Sequence, residues 1–422
     1  MKKRTVIILS AAVCLAAALA LEAYFFHRGY TGGKGGLQAA SFAPETEFPA
    51  DPDSIFCAMD IFRELQKTES GNFIFSPSSI RKALALACLG AKGNTRAELA
   101  KAMRFSPDSP VFLDHWKKLT GRLQTIGKSK KLSIEGADAL FIQEGYPFSG
   151  DYMEKAETVF GAELKPVDFA SGDALSKMDE WISQKTRGLI KNAIPPELVT
   201  ADSRMFILDT IFFKGEWADP FETELTKDEP FFPSGGERVM AKMMHAHSYY
   251  GYSENESFQI LELPYSQGLN MIVVLPLKKD AKKSDWENLD PEDLDHQLKR
   301  MEEKEVELAF PKFDCTSNLN LLKTCQALGI KDAFSEISAD FSGITDEERL
   351  YVSGIRQKAK ITVDEKGTVA AAVTYDGVAP VEAIPEEPPK PIQFIADHPF
   401  AYLITDSASG TVLFMGRVEN PA

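Results

Sequence analysis

Residues 364–374, Asp-Glu-Lys-Gly-Thr-Val-Ala-Ala-Ala-Val-Thr, form a run of small and β-branched side chains with nothing bulky or charged after Lys366. The chain as a whole is 26% charged, so the run stands apart. It leads into Tyr375-Asp376-Gly377 and then a Pro- and Glu-rich stretch over 380–391. The local sequence leaves two readings open. Alanine favours a helix, which here would run into a linker. Gly367 at the start, β-branched Val369, Val373 and Thr374, and the strand pattern Ile361-Thr362-Val363 just before favour a strand-competent segment held outside the fold. The second reading fits more of these residues.

Outward from that run, the chain alternates between helical and strand patterns. Ile55, Ala58, Met59, Phe62 and Leu65 recur at three-four spacing, predicting an amphipathic helix over 54–67. Ser79-Ile80 opens a second, apolar through 83–89 and stopped by Gly90; Asn94 or Thr95 is placed to cap a third through Met103. Residues 175–192 put Met178, Trp181 and Ile182 on one face, with Ser183, Gln184, Lys185 and Arg187 as the polar side. Strands are expected at 204–213, 258–263, 270–276, 305–310, 349–355, 358–363, 399–405 and 411–418. Several are continuous apolar runs, the pattern of strands covered on both faces.

At 422 residues the chain exceeds a typical domain, but no linker or repeat interrupts 54–422, which reads as one large mixed domain. With 47 basic and 62 acidic residues the net charge is −15, a balance that repels nucleic acid and anionic membranes. Met1-Lys2-Lys3-Arg4 followed by the uncharged apolar run Val6–Leu21 reads as an export leader over 1–23. Ala18-Leu19-Ala20 offers a cleavage site; an uncleaved anchor over 5–21 is the alternative, so the product is either secreted or tethered outside the cytoplasm. Cys14 follows Ala11-Ala12-Val13, a poor context for lipid attachment. Residues 24–53, rich in Gly, Ala and Pro, read as a flexible spacer. Cys57 and Cys88 lie in apolar helical patterns and are expected as buried thiols, whereas Cys315 and Cys325 pair only if the fold brings their Cα atoms within about 7 Å.

Catalytic and metal motifs are missing. The six histidines include no HExxH, and there is no GxSxG elbow or P-loop. His245-x-His247 supplies two ligands, too few for a metal centre, and Gly32–Gly36 belongs to the spacer. Asn255-Glu256-Ser257 is a glycosylation sequon. No cofactor and no enzymatic activity are expected.

A series of spaced motifs resembles the serpin family in its order. Asn72-Phe73-Ile74-Phe75-Ser76-Pro77-Ser78-Ser79-Ile80, then Leu89-Gly90-Ala91-Lys92-Gly93-Asn94-Thr95, are similar to its opening strand and helices. Leu208-Asp209-Thr210-Ile211-Phe212-Phe213-Lys214-Gly215-Glu216-Trp217 resembles its central-sheet strand and tryptophan, with Asp209 where the family has Asn. Leu263-Pro264-Tyr265, Leu275-Pro276, Pro311-Lys312-Phe313, Leu328-Gly329-Ile330 and Phe341-Ser342-Gly343-Ile344 follow, as do His398-Pro399-Phe400 and Leu413-Phe414-Met415-Gly416-Arg417-Val418. Together they span 54–422.

The resemblance implies an α+β fold of three sheets and eight to nine helices, with helix 175–192 across the main sheet and an exposed reactive loop over about 365–391. It implies bait rather than catalyst: a serine protease, with cysteine proteases as a second class, cuts the loop and is trapped covalently as the loop inserts into the main sheet. The inhibitor itself is expected as a monomer. In the hinge, Glu365, Gly367, Thr368, Val369, Ala370, Ala371, Ala372, Val373 and Thr374, alternate residues share a face, so Thr368, Ala370, Ala372 and Thr374 point into the core. Val369 replaces the usual Glu on the outward side, and Asp376 would point inward. Trp217 is expected at the top of the sheet, where insertion starts. Counting from Glu365 places the cut at Val381–Glu382; counting back from His398 places it near Glu386. A valine there suits an elastase- or subtilisin-like protease. A non-inhibitory serpin acting as chaperone, carrier or scaffold is the alternative, although such members tend to carry bulky, charged or Pro residues in the hinge.

Overall fold

The structure, a computed structural model, describes residues 51, 53–127, 129, 131–145, 147–185, 188, 194, 196, 199–203, 205–279, 286, 289–347, 349–367 and 390–422. The expected leader, most of the expected spacer and the stretch from Thr368 to Pro389 lie outside them, so Thr368, Val369, Ala370, Ala371, Ala372, Val373, Thr374, Val381 and Glu382 are not described.

Eight α-helices are present among the described residues. The first, α1 (Asp53–Thr68), buries Ile55, Met59, Phe62 and Leu65, the face its spacing predicts. In α2 (Pro77–Gly90), Ser76 is the N-cap; its Oγ accepts from Ser79 N at 3.2 Å and Pro77 takes the first position. The helix stops at Gly90, where a Cβ would lie 2.2 Å from Ile344 Cγ1. Then follow α3 (Gly93–Ala102), α4 (Val111–Ile126), α5 (Gly150–Thr158), α6 (Ala174–Lys185), α7 (Pro291–Lys299) and α8 (Leu322–Ala327).

Five strands make the main sheet, in the order β10 (Phe313–Asn320), β11 (Ile355–Val363), β4 (Met205–Gly215), β2 (Leu132–Gln143), β3 (Glu163–Val167). The other nine are joined through the 16-residue β6 (Val239–Glu254). One end of β6 pairs β7 (Phe258–Pro264), which continues to β8 (Leu269–Pro276), β13 (Phe400–Asp406), β14 (Val412–Val418) and β1 (Phe73–Phe75). Its other reach pairs β5 (Lys227–Phe231) and β9 (Glu302–Pro311), which carries β12 (Ile392–Ile395). The system thus divides at β6, giving three sheets among the described residues.

Over β2 and β4 the main sheet is covered on both faces, whereas β10 and β11 alternate, burying one face and leaving the other exposed or half-buried. Behind it, Ile211 and Phe213 of β4 and Ala359, Ile361 and Val363 of β11 share a core with Tyr402, Ile404 and Phe414. In front, α6 lays Met178, Trp181 and Ile182 on Ala139, Phe141, Phe206 and Leu208, and leaves Gln184 and Lys185 exposed. Trp181 meets Phe141 edge-on at 5.6 Å and donates from Nε1 to Glu163 Oε2 at 3.1 Å. Burial works to raise the Glu163 carboxyl, but Lys185, Lys165 and Trp181 outweigh it and take it from the ordinary 4.5 to about 2.

The structure bears on several expectations, and it corrects some of them. Residues 349–353 are not a strand: Leu350 and Val352 are buried without ladder partners, and β11 begins at Ile355. Neither Asn94 nor Thr95 caps α3, whose N-cap is Lys92; Thr95 Oγ1 instead accepts from Asp340 N at 3.0 Å, and Asn94 Nδ2 donates to Asp332 at 2.6 Å. Cys315 and Cys325 are both free and buried, as are Cys57 and Cys88. The end of the expected spacer is built into the fold, since α1 opens at Asp53 and the side chain of Asp51 is buried. His245 and His247 diverge to separate partners, Glu229 at 3.1 Å and Glu305 at 3.0 Å.

Candidate functional site at the head of the main sheet

Within the main sheet β11 and β4 run parallel and bond directly, from Ile355 opposite Ile207 to Ile361 opposite Phe213. Parallel ladders are slightly the weaker kind per residue. This seam separates two antiparallel pairs, β10 with β11 and β4 with β2. Its two ends are held by different chemistry.

At the head, β11 closes in a tight turn. Asp364 N donates to Gly367 O at 3.3 Å and Gly367 N to Asp364 O at 3.1 Å, while Lys366 N donates to the Asp364 carboxylate at 2.9 Å. Gly367 has φ +88°, and a Cβ there would sit 2.3 Å from Trp217 N and 2.4 Å from Gly215 O. Glycine is required twice over, for backbone sign and for space.

Trp217 holds that turn. Its indole stacks on Tyr265 with centroids 4.1 Å apart and planes 11° apart, and meets Phe221 edge-on at 6.1 Å. Nε1 donates to Asp364 O at 3.0 Å, and its backbone N to Lys366 O at 3.2 Å. Phe221 N adds a bond to Glu365 O at 2.7 Å. Burial pushes the Tyr265 phenol well up, and nearby Asp364 adds to that, keeping it neutral.

Glu365 is 7% exposed and doubly bound: Lys312 Nζ lies 2.7 Å from Oε2, and Thr226 Oγ1 donates to Oε1 at 2.9 Å. Burial alone would raise its pKa; the Lys312 bond, a backbone N–H and the Thr226 hydroxyl together bring it below the usual carboxylate value. Lower down, Gln357 is fully buried on β11, in register with Asp209 of β4. Gln357 Oε1 accepts from Ser76 N at 2.7 Å and Nε2 donates to Ser76 O at 3.1 Å. Ser76 Oγ in turn donates to Leu413 O at 2.6 Å. The arrangement's capacity is mechanical. A weak seam sits between two fixed ends, and the chain leaving it is turned back over its head.

Of the site residues expected from sequence, Trp217, Glu365 and Gly367 come together here. Tyr265 and Lys312 lay in quoted motifs without a role, and Thr226, Phe221 and Gln357 carried no signal at all. Each acts through partners far away in sequence: Lys312 is 53 residues from Glu365 and Thr226 is 139.

A model of the family "Serpin (serine protease inhibitor)" matches residues 54–421. A leukocyte elastase inhibitor of Sus scrofa is 32% identical over 376 residues, covering 86% of this chain and 97% of its own. A serpin-like protein of Methanosarcina acetivorans is also 32% identical, over 372 residues and 86% of each chain. Among solved structures, Serpin48 of the insect Tenebrio molitor superposes with TM-score 0.75 at 29% identity, covering 87% of this chain and 97% of its own. Uncleaved ovalbumin superposes with TM-score 0.77 at 27% identity, covering 89% and 100%. Family model, relatives and the closed seam beneath a hinge glycine agree, and the chain belongs to the serpin family.

Proposed function

We propose that this serpin is an exported, irreversible inhibitor of serine proteases. An elastase- or subtilisin-like enzyme cuts Val381–Glu382, and the freed loop enters the β4/β11 seam before the acyl-enzyme is hydrolysed. The observation that carries the reading is the Asp364–Gly367 pairing above the closed parallel seam. Carried on in the same register, it sets Thr368 opposite Val363, Ala370 opposite Ile361, Ala372 opposite Ala359 and Thr374 opposite Gln357. Those β11 residues are all buried, so the small loop residues enter the core together. Thr374 brings a hydroxyl to the one amide in that row. The parallel seam is thereby exchanged for two antiparallel ladders.

Asp376 falls opposite buried Ile355, and a carboxylate there is costly. Insertion is driven down to Thr374 and resisted after it. The leukocyte elastase inhibitors among the relatives support the choice of protease, as does Val381. Glu382, Glu386 and Glu387 disfavour enzymes with acidic clefts.

Incubation of the protein with elastase-, subtilisin-, trypsin- and chymotrypsin-like proteases tests this. The expected result is an SDS-resistant 1:1 complex with an elastase- or subtilisin-like enzyme, and a released C-terminal peptide beginning at Glu382. Cleavage without complex by every enzyme would assign the chain to the non-inhibitory serpins.

A further inference from the structure

We propose that Asp51, just ahead of α1, acts as a strap on the body of the domain, and that this strap holds the β4/β11 seam shut. Asp51 is no surface residue. Its carboxylate is 7% exposed and pairs with Arg81 Nη1, while His115 Nε2 lies 3.6 Å from the same oxygen. Arg81 is itself 4% exposed, walled by Phe105 at 5.6 Å and Trp116 at 5.9 Å from its guanidinium, with Nε on Met103 O at 3.4 Å. A buried guanidinium between aromatic rings requires an anion, because an unpaired buried charge is strongly unfavourable. The site is a carboxylate pocket whose ligand the chain supplies itself.

The pocket shares its supports with the seam. Asp51 N donates to Ser409 O at 3.1 Å, and Ser54 Oγ accepts from Val412 N at 2.8 Å. On the next residue, Leu413 O accepts from Ser76 Oγ at 2.6 Å and Ser78 Oγ at 3.3 Å. Ser76 is the residue that grips Gln357, the buried amide on the seam strand. Arg81 lies on the helix that Ser76 caps. Strap and seam therefore hold the same helix, α2, and the same stretch of chain, 409–413. Releasing Asp51 leaves Arg81 unpaired and loosens the platform on which Gln357 is docked, so the seam opens more readily. Loss of residue 51, by substitution or by cutting after it, would set the inhibitor's readiness to insert.

The inference rests on the seam opening described above, but its test needs no protease. Amide hydrogen exchange is followed in the uncut full chain over the seam (355–361 and 205–213) and, for comparison, over β13 (400–406). Asp51→Ala is expected to speed seam exchange about tenfold or more, in keeping with removal of one partner of a buried ion pair, with a smaller change in β13. Sodium formate, a carboxylate small enough for the vacated pocket, is expected to restore much of the protection; sodium chloride at equal ionic strength is not. Asp51→Asn keeps the shape and loses the charge, and is expected to fall between. Equal acceleration in seam and β13, or no acceleration, would overturn the coupling. A failure of formate to protect would overturn the pocket. If the protease panel yields no complex while the seam still responds to Asp51→Ala, only the inhibitory reading fails.

Discussion

Thr368→Arg is expected to turn the proposed trap into a substrate. The proposed register sets residue 368 opposite Val363, which is 1% exposed and faces the core behind the main sheet. A threonine enters there without crowding; a guanidinium brings both excess volume and an unpaired charge. Deacylation then outruns insertion. The expected outcome is cleavage at the same bond with the stoichiometry of inhibition raised about tenfold or more, since a barrier increase of about 1.4 kcal/mol already shifts the partition that far. Titrating a fixed amount of protease and counting complex against cleaved inhibitor on SDS gels gives the value. Val369→Arg, on the outward face, is the control and should trap nearly as well as the parent. Equal trapping by both arginine variants would mean that the two faces have been exchanged.

Gly367→Val acts on the uncut protein instead. The backbone there is in the left-handed region at φ +88°, and the new Cβ would meet Trp217 N at 2.3 Å and Gly215 O at 2.4 Å, both backbone atoms that cannot swing aside. A β-branched residue at such a φ costs on the order of 1–3 kcal/mol before any clash is counted. The turn would have to leave Trp217, breaking the bonds from its Nε1 and backbone N and uncovering Glu365. Thermal unfolding of intact Gly367→Val is expected at a clearly lower temperature than that of the parent. Gly367→Ala should lie between, as its strain is smaller but the steric contact is the same. An unchanged midpoint for the valine variant would show that the turn does not close as described.

Much of the scaffold was legible because its signals are local. Three-four spacing placed α1 within one residue at each end, and Gly90 marked the end of α2. Continuous apolar runs found β8, β13 and β14, buried nearly throughout, and the apolar residues of β7 found that strand although its Gln259 and Glu262 are only half-buried. What went unseen was non-local. The alternation in β10, where Asp314, Thr316, Asn318 and Asn320 face solvent, leaves only four inward residues as a signal. In β6 the exposed His247, Ser248 and Tyr249 hide a 16-residue strand that two sheets share. Residues 349–353 show the opposite error: apolar side chains buried by a loop look like a strand until pairing is considered. At the site, Gly367 and Trp217 stood out by type, whereas the grip on Glu365 exists only once β9 ends and β5 begins beside the hinge. An ion pair across 53 residues and a hydroxyl bond across 139 have no sequence period to betray them.

For the proposed insertion, the energetics point to the uncut state as the source of the drive. Some twelve inserted residues gain about 20 hydrogen bonds worth about 1 kcal/mol each net. Ordering them costs about 1–2 kcal/mol per residue, which nearly cancels that gain. What remains must be tension released when the parallel seam is replaced by two antiparallel ladders. Differential scanning calorimetry of the intact protein beside the same protein nicked at the loop measures that tension directly. A nicked form that unfolds tens of degrees above the intact one is the expected result; coincident transitions would mean that the seam stores nothing and accepts no strand.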